Sequence, residues 1–447
     1  MRFTTYHRAA VRTALAALVL FCGQAFAAIP IQRWAQPGGA AVYLVESQSL
    51  PMIDVRLEFD AGARREPADK AGLANVTAAM TSKGIDARDG RPALDENQVS
   101  EAWADLGASF GGGASSDRMS FTLRTLTYPD VMPKAIDLAS RQLGEPAFPE
   151  AIWQRERQRI AAAIRESNTK PGTLAARAFA SAVYGAHPYG RDTTEATLGR
   201  ISVQDMRAAY NLVQACRAKV TIVGAVNRAQ ADALVTSLLA RLPSAGRCDP
   251  LPAVADVAPL SAPQVKAIPF ASAQAHVLIG QPGYKRKDPD HFPLLVGNYI
   301  LGGGGLVSRL SDEVREKRGL SYSVYSYFSP GMHAGAFTLG LQTRPDQTAQ
   351  AVQVARDVLA GFVAQGPTEV ELKAAKDFLI GGFPLLIDSN RKLLDNVANI
   401  AWYDLPLDYL DTWTATVQRV TAADIKAAFA RKLQPDRMVI VTVGAAT

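Results

Sequence analysis

Alternating apolar and polar residues mark several short segments of the chain. Positions 42–46, 53–59 and 276–280 alternate in this way, and a period of two predicts strands with one face on a core. In two longer segments, 150–166 and 368–383, apolar residues recur every three or four positions. This spacing is typical of amphipathic helices. Strands grouped with helices predict an α+β fold, in which each β-sheet is backed by helices.

The chain contains one sequence unit twice, since the stretch ISVQDMRAAY recurs as VTAADIKAAF. Each copy opens with a capping box, at Ser202 and at Thr421, in which an aspartate follows three positions later. The cap oxygen satisfies free backbone amides, and the acid lies at the positive end of the helix. Each helix precedes an apolar run that ends in glycine, at Gly224 and Gly444. Because both elements recur at nearly the same offset, the sequence predicts a duplicated domain.

A segment rich in proline and alanine, 249–264, separates the two copies. It lacks helical periodicity, which predicts an extended linker. We therefore expect an N-terminal domain over residues 28–248 and a C-terminal domain over residues 265–447. The chain has 447 residues, of which 48% are hydrophobic and 20% charged, and this composition is ordinary for two globular domains.

The first 27 residues have the pattern of a secretory signal peptide. Arg2, Arg8 and Arg12 precede a short apolar stretch at 13–21, and Ala-Phe-Ala at 25–27 is a small-residue cleavage site. The stretch is shorter than the roughly 20 apolar residues of a membrane span, and no later stretch is predicted to cross a membrane. The sequence therefore predicts a periplasmic or secreted protein.

Removal of this peptide would take away three arginines and no acids, so the net charge would fall from +6 to +3. A charge this small does not support nucleic-acid binding. The remaining cysteines, Cys216 and Cys248, could pair in an oxidising compartment or remain two buried thiols. Both alternatives are open from the sequence.

The segment GLANVTAAM at positions 72–80 resembles the inverted zinc motif H-x-x-E-H of the pitrilysin/insulinase metallopeptidase family. The resemblance places Asn75, Ala78 and Ala79 where that family has two histidines and a glutamate, on one face of a helix. In the family these residues bind zinc and activate water. Leu73, Val76 and Met80 keep the spacing of a core-facing stripe. The metal-binding face is therefore predicted to be lost from an intact helix.

The family's third zinc ligand is a glutamate on a downstream helix, and the resemblance places Ala163 at that position. Asparagine is a poor zinc ligand and alanine is none, so we expect no metal cofactor in this chain. The four histidines that follow residue 27 show no ligand-like spacing. If zinc takes part in the function, the resemblance implies that a partner chain holds it.

The second half carries a longer match, ILGGGGLVSRL followed by EVREKRGLSYSVYS, which resembles the C-terminal-domain signature of the same family. The match implies that Arg315 and Tyr322 form a pair that reaches a facing active site. A guanidinium and a phenol can donate to a peptide carbonyl, and better to the oxyanion that develops from it. The glycine run lacks the spacing of a phosphate loop. We expect Gly303 and Gly304 to bring backbone close to a peptide substrate, and the alternative is a plain break from helix to loop.

Simpler interpretations exist for the same residues. The charges between positions 312 and 318 could form a solvated helix face with i,i+3 and i,i+4 ion pairs, and Tyr322 could be a core or strand aromatic. The earlier glycine triplet, 111–113, lies between strand-like segments and is predicted to form a bulge or a turn.

The resemblance covers nearly the whole chain after residue 37 and implies two similar α+β domains. In two-chain members of the family, a chain with the zinc motif pairs with one that lacks it, and together they enclose a chamber. We therefore expect a non-metal-binding subunit, inactive alone, whose partners are a homologous zinc-bearing peptidase chain and a peptide substrate. Two alternatives are a scaffold with no catalytic share, like the family's members in respiratory complexes, and a peptide-binding homodimer.

Overall fold

The computed structural model describes residues 29–243 and 248–445, so the predicted signal peptide lies outside the described residues. The strands are β1 Gln32–Ala35, β2 Ala41–Glu46, β3 Met52–Phe59, β4 Gly84–Ile85, β5 Leu94–Asp95, β6 Ser109–Ala114, β7 Met119–Leu126, β8 Lys219–Gly224, β9 Gln264–Ile268, β10 Ala275–Tyr284, β11 Ser323–Phe328, β12 Gly335–Thr343 and β13 Val439–Val443.

The helices of the first half are α1 Leu73–Met80, α2 Glu96–Asp105, α3 Met132–Gly144, α4 Glu150–Ser167, α5 Pro171–Tyr184, α6 Glu195–Gly199, α7 Val203–Tyr210 and α8 Arg228–Leu239. Those of the second half are α9 His291–Asn298, α10 Thr348–Gln365, α11 Glu369–Gly382, α12 Asn390–Trp402, α13 Tyr409–Arg419 and α14 Ala422–Lys432. The predicted capping boxes form at the starts of α7 and α14, where Ser202 and Thr421 accept from the backbone amides of Asp205 and Asp424.

Two mixed sheets with the same topology confirm the predicted α+β fold and the duplication. The first sheet has the order β1-β2-β8-β3-β7-β6, and the second has the order β11-β12-β10-β13-β9. Read from the opposite end, the second order repeats β2-β8-β3-β7-β6 strand for strand. In each sheet one pair is parallel, β2 with β8 and β13 with β9. Within the described residues, β1 is the strand of the first sheet that has no counterpart in the second, and β4 and β5 form a separate two-stranded sheet.

The two halves exchange a helix with each other. Helix α5 of the first half packs on the second sheet, where Phe179 and Val183 join Val441 and Val443 in one buried cluster. Gly280 of β10 makes room for this helix, because a Cβ there would come within 2.7 Å of the Phe179 ring. Burial of a large apolar side chain stabilises the fold by about 1.5–3 kcal/mol.

The reciprocal contact is made by α12, from the second half, on the first sheet. Val397 and Ile400 are buried there with Tyr43 and Val223. Because each sheet depends on a helix from the other half, the two halves are coupled in packing as well as along the chain.

A hydrogen-bonded junction also links the halves. The Asp117 carboxylate accepts from the Tyr189 hydroxyl at 2.5 Å and from the Met332 backbone amide at 3.0 Å. Asp256, between the two halves, accepts from Lys285 Nζ at 2.7 Å and lies 2.9 Å from the His333 ring.

Residues 248–263 contain no helix or strand, as predicted for an extended linker, while the domain boundaries themselves remain predictions.

Two further sequence expectations meet the structure here. Cys216 and Cys248 are paired in a disulfide, with Cα atoms 5.7 Å apart, so the alternative of two free thiols is excluded. The bulge or turn expected at Gly111–Gly113 is wrong. These residues form the middle of β6 and pair regularly with Thr122, Phe121 and Ser120 of β7. Glycine is needed within this regular strand because β6 approaches helix α1 closely, as described below.

Candidate functional site

Helix α1 carries the degenerate metal motif. The Glu66 carboxylate caps its start by accepting from the backbone amides of Gly72 and Ala74, each at 2.9 Å. Gly72 has a φ of +102°, a conformation that favours glycine. The predicted stripe of Leu73, Val76 and Met80 is buried with Trp153 and Ile164 of α4. The frame of the motif is therefore intact.

The three degenerate positions do not share one environment. Asn75 and Ala79 are exposed, whereas Ala78 is fully buried in the core of the first half. Gly112 of β6 lies directly against α1, because a Cβ at Gly112 would come within 3.1 Å of the Ala78 carbonyl oxygen. β6 therefore covers Ala78, the position where the family has its glutamate.

Ala163, the expected third position, is exposed on α4. None of the four side chains is a good zinc ligand, and the described residues hold no group of three metal-ligating side chains of the His, Cys, Asp or Glu type. The residues present at this site do not fit a zinc ion.

A cleft of about 350 Å³ lies between α1, α4 and β6. Its lining includes the apolar residues Ala79, Phe110 and Ile160 and the charged residues Lys83, Glu156 and Arg159. Arg159 pairs with Glu156 at 2.8 Å. Burial acts to raise the pKa of Glu156, but hydrogen bonds from Arg159 and Arg155 outweigh it and hold that pKa below its ordinary value. The lining of the cleft therefore combines apolar side chains with a network of charged groups.

In the second half, a π-helical turn, Tyr299–Gly303, contains the first two glycines of the run, and Gly304 follows directly after it. A Cβ at Gly303 would lie 2.8 Å from Asn298 Nδ2, and one at Gly304 would lie 2.8 Å from the Tyr299 carbonyl oxygen. Gly303 is nevertheless exposed and Gly304 is half-buried. Close packing therefore accounts for both glycines, and their contact with a substrate stays a prediction.

Arg315 lies on a second π-helical turn, Ser311–Glu316, and the chain reverses at Gly319, whose φ is +61°. This reversal brings Arg315 and Tyr322 together, with the guanidinium carbon 4.8 Å from the centre of the phenol ring. Tyr322 is 81% exposed, and the Arg315 side chain is 31% exposed. Arg315 Nε also lies 3.2 Å from a Glu316 carboxylate oxygen. Tyr322 is therefore not a core aromatic.

The neighbouring charges follow the simpler interpretation. Lys317 Nζ lies 2.7 Å from a Glu313 carboxylate oxygen and 2.8 Å from one of Asp312. Hydrogen bonds from Lys317 and then Arg318 lower the pKa of Glu313. These residues form solvated ion pairs, so Arg315 is distinguished from them by its stacking on Tyr322.

Two aromatic residues next to this pair were missed by the sequence analysis. Tyr325 and Tyr327 stack on the exposed face of β11, with ring centres 5.9 Å apart. Gly340 of β12 leaves room for the Tyr325 ring. The signal was present as tyrosines two positions apart after Tyr322, because that period places side chains on the same face of a strand.

Together, the duplicated sheets, the intact motif helix with its degenerate metal positions and the Arg315–Tyr322 pair define a two-domain, peptidase-like chain. Comparison with family models agrees. Residues 41–197 match the insulinase (peptidase family M16) model, and residues 200–379 match the peptidase M16 inactive domain. The chain belongs to the M16, or insulinase, family.

Individual relatives show the same relationship. A crystal structure of a peptidase M16 inactive domain from Pseudomonas fluorescens has a TM-score of 0.87 and 33% identity, and the match covers 93% of this chain and 98% of that one. The non-peptidase homolog YmxG of Helicobacter pylori is 26% identical over 91% of this chain and 92% of its own length. An uncharacterized zinc protease of Streptomyces coelicolor is 27% identical over 89% of this chain and 86% of its own length.

None of the helices among the described residues is long and apolar enough to cross a membrane.

Proposed function

We propose that this chain is the non-metal-binding subunit of a two-chain peptidase in the periplasm. A homologous chain with an intact H-x-x-E-H motif would supply zinc, and this chain would supply half of the chamber together with Arg315 and Tyr322. The observation that carries the proposal is the stacking of Arg315 on a highly exposed Tyr322, in a chain whose own motif helix has no metal ligands. The predicted signal peptide supports the location.

The chemistry of the pair suits a peptide carbonyl. Arg315 keeps guanidinium N–H donors besides the Nε that faces Glu316, and a tyrosine hydroxyl can donate as well. Stacking on the ring restrains the guanidinium, and a cation over an aromatic face is stabilised electrostatically. Donors held in place before the reaction stabilise developing negative charge more than donors that must first be ordered.

The exposed edge of the first sheet supports peptide binding. β6 is its last strand, and above Gly111 and Gly113 a Cβ would meet no neighbouring atom within 4 Å. An edge strand has free backbone hydrogen-bonding groups, and an extended peptide can add to it as a further strand. Glycines without side chains leave this edge open.

Reconstitution tests the proposal. The mature chain is mixed with a homologous chain that carries H-x-x-E-H, the complex is isolated by size exclusion, and cleavage of a quenched fluorescent peptide library is measured. We expect the complex to cleave peptides at least tenfold faster than the zinc-bearing chain alone, and this chain alone to be inactive. The result that overturns the proposal is a complex whose activity is unchanged when both Arg315 and Tyr322 are replaced by alanine, because that outcome leaves a scaffold.

A further inference from the structure

The second sheet has an uncovered edge where the first sheet has a strand. β9 is the outermost strand of the second sheet, and its structural counterpart in the first sheet is β2. β2 is covered by β1 in antiparallel register. Among residues 29–243 and 248–445, no strand lies on the outer side of β9. Four of its five residues are exposed, and Val265 is 73% exposed.

The backbone of β9 identifies which groups are available. The Gln264 amide donates to the Met438 carbonyl at 3.3 Å, and the Ile268 carbonyl accepts from the Gly444 amide at 3.1 Å. In a parallel pair, alternate residues direct their N–H and C=O groups to the same neighbour. Residues 264, 266 and 268 therefore face β13, and the N–H and C=O groups of Val265 and Ala267 face outwards.

The first half shows what a strand at this edge looks like. The pair Ala41 and Lys219 in the first sheet corresponds to the pair Gln264 and Val439 in the second sheet. It follows that Val265 corresponds to Val42, Lys266 to Tyr43 and Ala267 to Leu44. In β1, Trp34 lies opposite Val42, Arg33 opposite Tyr43, and Gln32 opposite Leu44. A large apolar residue therefore opposes the position of Val265. Trp34 is further held by its indole N–H, which donates to Asp232 at 2.6 Å.

The positive charge of Lys266 indicates which kind of polypeptide can pair with β9. If two copies of this chain paired through β9 about a twofold axis, with Val265 opposite Ala267, the two Lys266 side chains would lie directly opposite each other. Like charges opposite each other on a sheet are destabilising, and opposite charges are stabilising. The favoured occupant is therefore a different polypeptide with a carboxylate opposite Lys266.

The position of β9 also distinguishes a docked partner from a substrate. β9 and β11 lie at opposite ends of the second sheet, and Tyr322 directly precedes β11. Four strands, β9, β13, β10 and β12, would separate a segment bound along β9 from the candidate site at β11, so the segment fits the role of a docked partner.

We propose that β9 is a docking edge for an extended segment of a partner protein. The segment adds antiparallel to β9 as a sixth strand, with an acidic residue opposite Lys266 and a large apolar residue opposite Val265. Backbone hydrogen bonds to Val265 and Ala267 provide affinity, and the two side-chain positions provide selectivity. This docking does not depend on the proposed peptidase role.

The test uses two fluorescein-labelled peptides with the cores Thr-Glu-Trp-Thr and Thr-Lys-Trp-Thr, flanked by serines. Binding to the full mature chain is measured by fluorescence anisotropy up to millimolar protein. We expect the glutamate peptide to bind several-fold more tightly than the lysine peptide, and Lys266→Glu to reverse that preference. Amide hydrogen exchange at Val265 and Ala267 should be fast in the free chain and slowed by the glutamate peptide.

A backbone variant provides an independent arm. Ala267→Pro removes an N–H that faces outwards, at an edge position where proline is tolerated, and should abolish binding of both peptides while the thermal unfolding temperature stays close to that of the original chain. If Ala267→Pro does not fold, the peptide preference of Lys266→Glu still tests the proposal. Three results overturn the proposal: no binding of either peptide, a preference that Lys266→Glu leaves unchanged, or slow exchange at Val265 and Ala267 without peptide, which would mean that the edge is already covered.

Discussion

The guanidinium of Arg315 stacks on the ring of Tyr322, with the guanidinium carbon 4.8 Å from the ring centre. The left-handed residue Gly319 makes this contact possible, because the chain reverses there between the π-helical turn and β11. The neighbouring Lys317 and Arg318 only pair with acids, whereas Arg315 contacts Glu316 and also stacks on Tyr322. The pair is therefore a specific structure within an ordinary charged surface, and its consequences can be measured.

Removal of either donor should slow peptide cleavage by the reconstituted complex. We expect Arg315→Ala or Tyr322→Phe to lower the rate by roughly 10²–10³, or about 2.7–4 kcal/mol, which is typical for loss of one oxyanion donor. The loss appears in kcat if the contacts strengthen in the transition state and in KM if they only hold substrate. Arg318→Ala, on the same segment but paired with Glu313, is the matched control and should leave both constants unchanged. Size exclusion checks assembly.

The isolated chain should not retain zinc. Asn75, Ala78, Ala79 and Ala163 occupy the ligand and base positions, and none of them is a good ligand. Metal analysis after dialysis against a weak chelator is expected to find far less than one zinc per chain. Stoichiometric zinc would contradict the assignment of these positions.

Restoration of the zinc motif should fail for a further reason, which is the burial of Ala78. Ala78→Glu places a carboxylate in the core beneath β6, where overpacking alone costs about 1–3 kcal/mol and an unpaired buried charge costs more. We expect a clearly lowered thermal unfolding temperature. Ala79→Glu, one residue along on the exposed side, is the matched control and should change stability by about 0.5 kcal/mol or less. Equal effects of the two variants would show that β6 does not close this position.

The triple variant Asn75→His, Ala78→Glu, Ala79→His is therefore expected to be weakly active at best. Addition of Ala163→Glu should improve zinc retention, because it supplies the missing third ligand.

The exchanged helices predict that a change in one half weakens the other. Phe179→Ala, in α5, should destabilise the chain by about 3–5 kcal/mol. Faster hydrogen exchange should appear in β10 and β13 of the second sheet, since Phe179 packs there. Phe378→Ala removes an exposed ring and should cost much less. Exchange that accelerates only in the first half would argue against the coupling.

Glu58 predicts a pH dependence of stability. It is 1% exposed, and burial raises its pKa to about 7 from an ordinary value of 4.5, although Arg118 lies 2.8 Å away and acts to lower it. The folded chain then binds more protons than the unfolded chain between these values. This group's contribution to stability is therefore fully present below about pH 4.5 and is lost as the pH rises to about 7.

Glu58→Gln keeps the shape of the side chain and removes the titration. We expect the unfolding free energy of the variant to change less between pH 4.5 and 7 than that of the original chain, as measured by denaturant titration. An unchanged pH profile would show that Glu58 does not titrate in this range.

The local elements of this fold were readable from sequence because their signals are local. Alternation predicted β2, β3 and β10, periodicity predicted α4 and α11, and the two capping boxes at Ser202 and Thr421 formed as expected. The duplication was also visible, since helix and strand recur together at one offset. The family resemblance indicated that Arg315 and Tyr322 form a pair. Their contact depends on the turn at Gly319.

The sequence by itself determined that the motif helix has lost its ligands and that two α+β units are present, since both follow from residue type and spacing. Only the tertiary structure decided that Ala78 is buried while Asn75 and Ala79 are exposed, that Gly111–Gly113 run straight along an edge, and that α5 and α12 pack on each other's sheets. It alone showed that, among the residues that the structure describes, a strand covers β2 and none covers β9. These features depend on contacts between residues far apart in the chain, and a local pattern of apolar and polar positions does not specify which distant surface an element will meet.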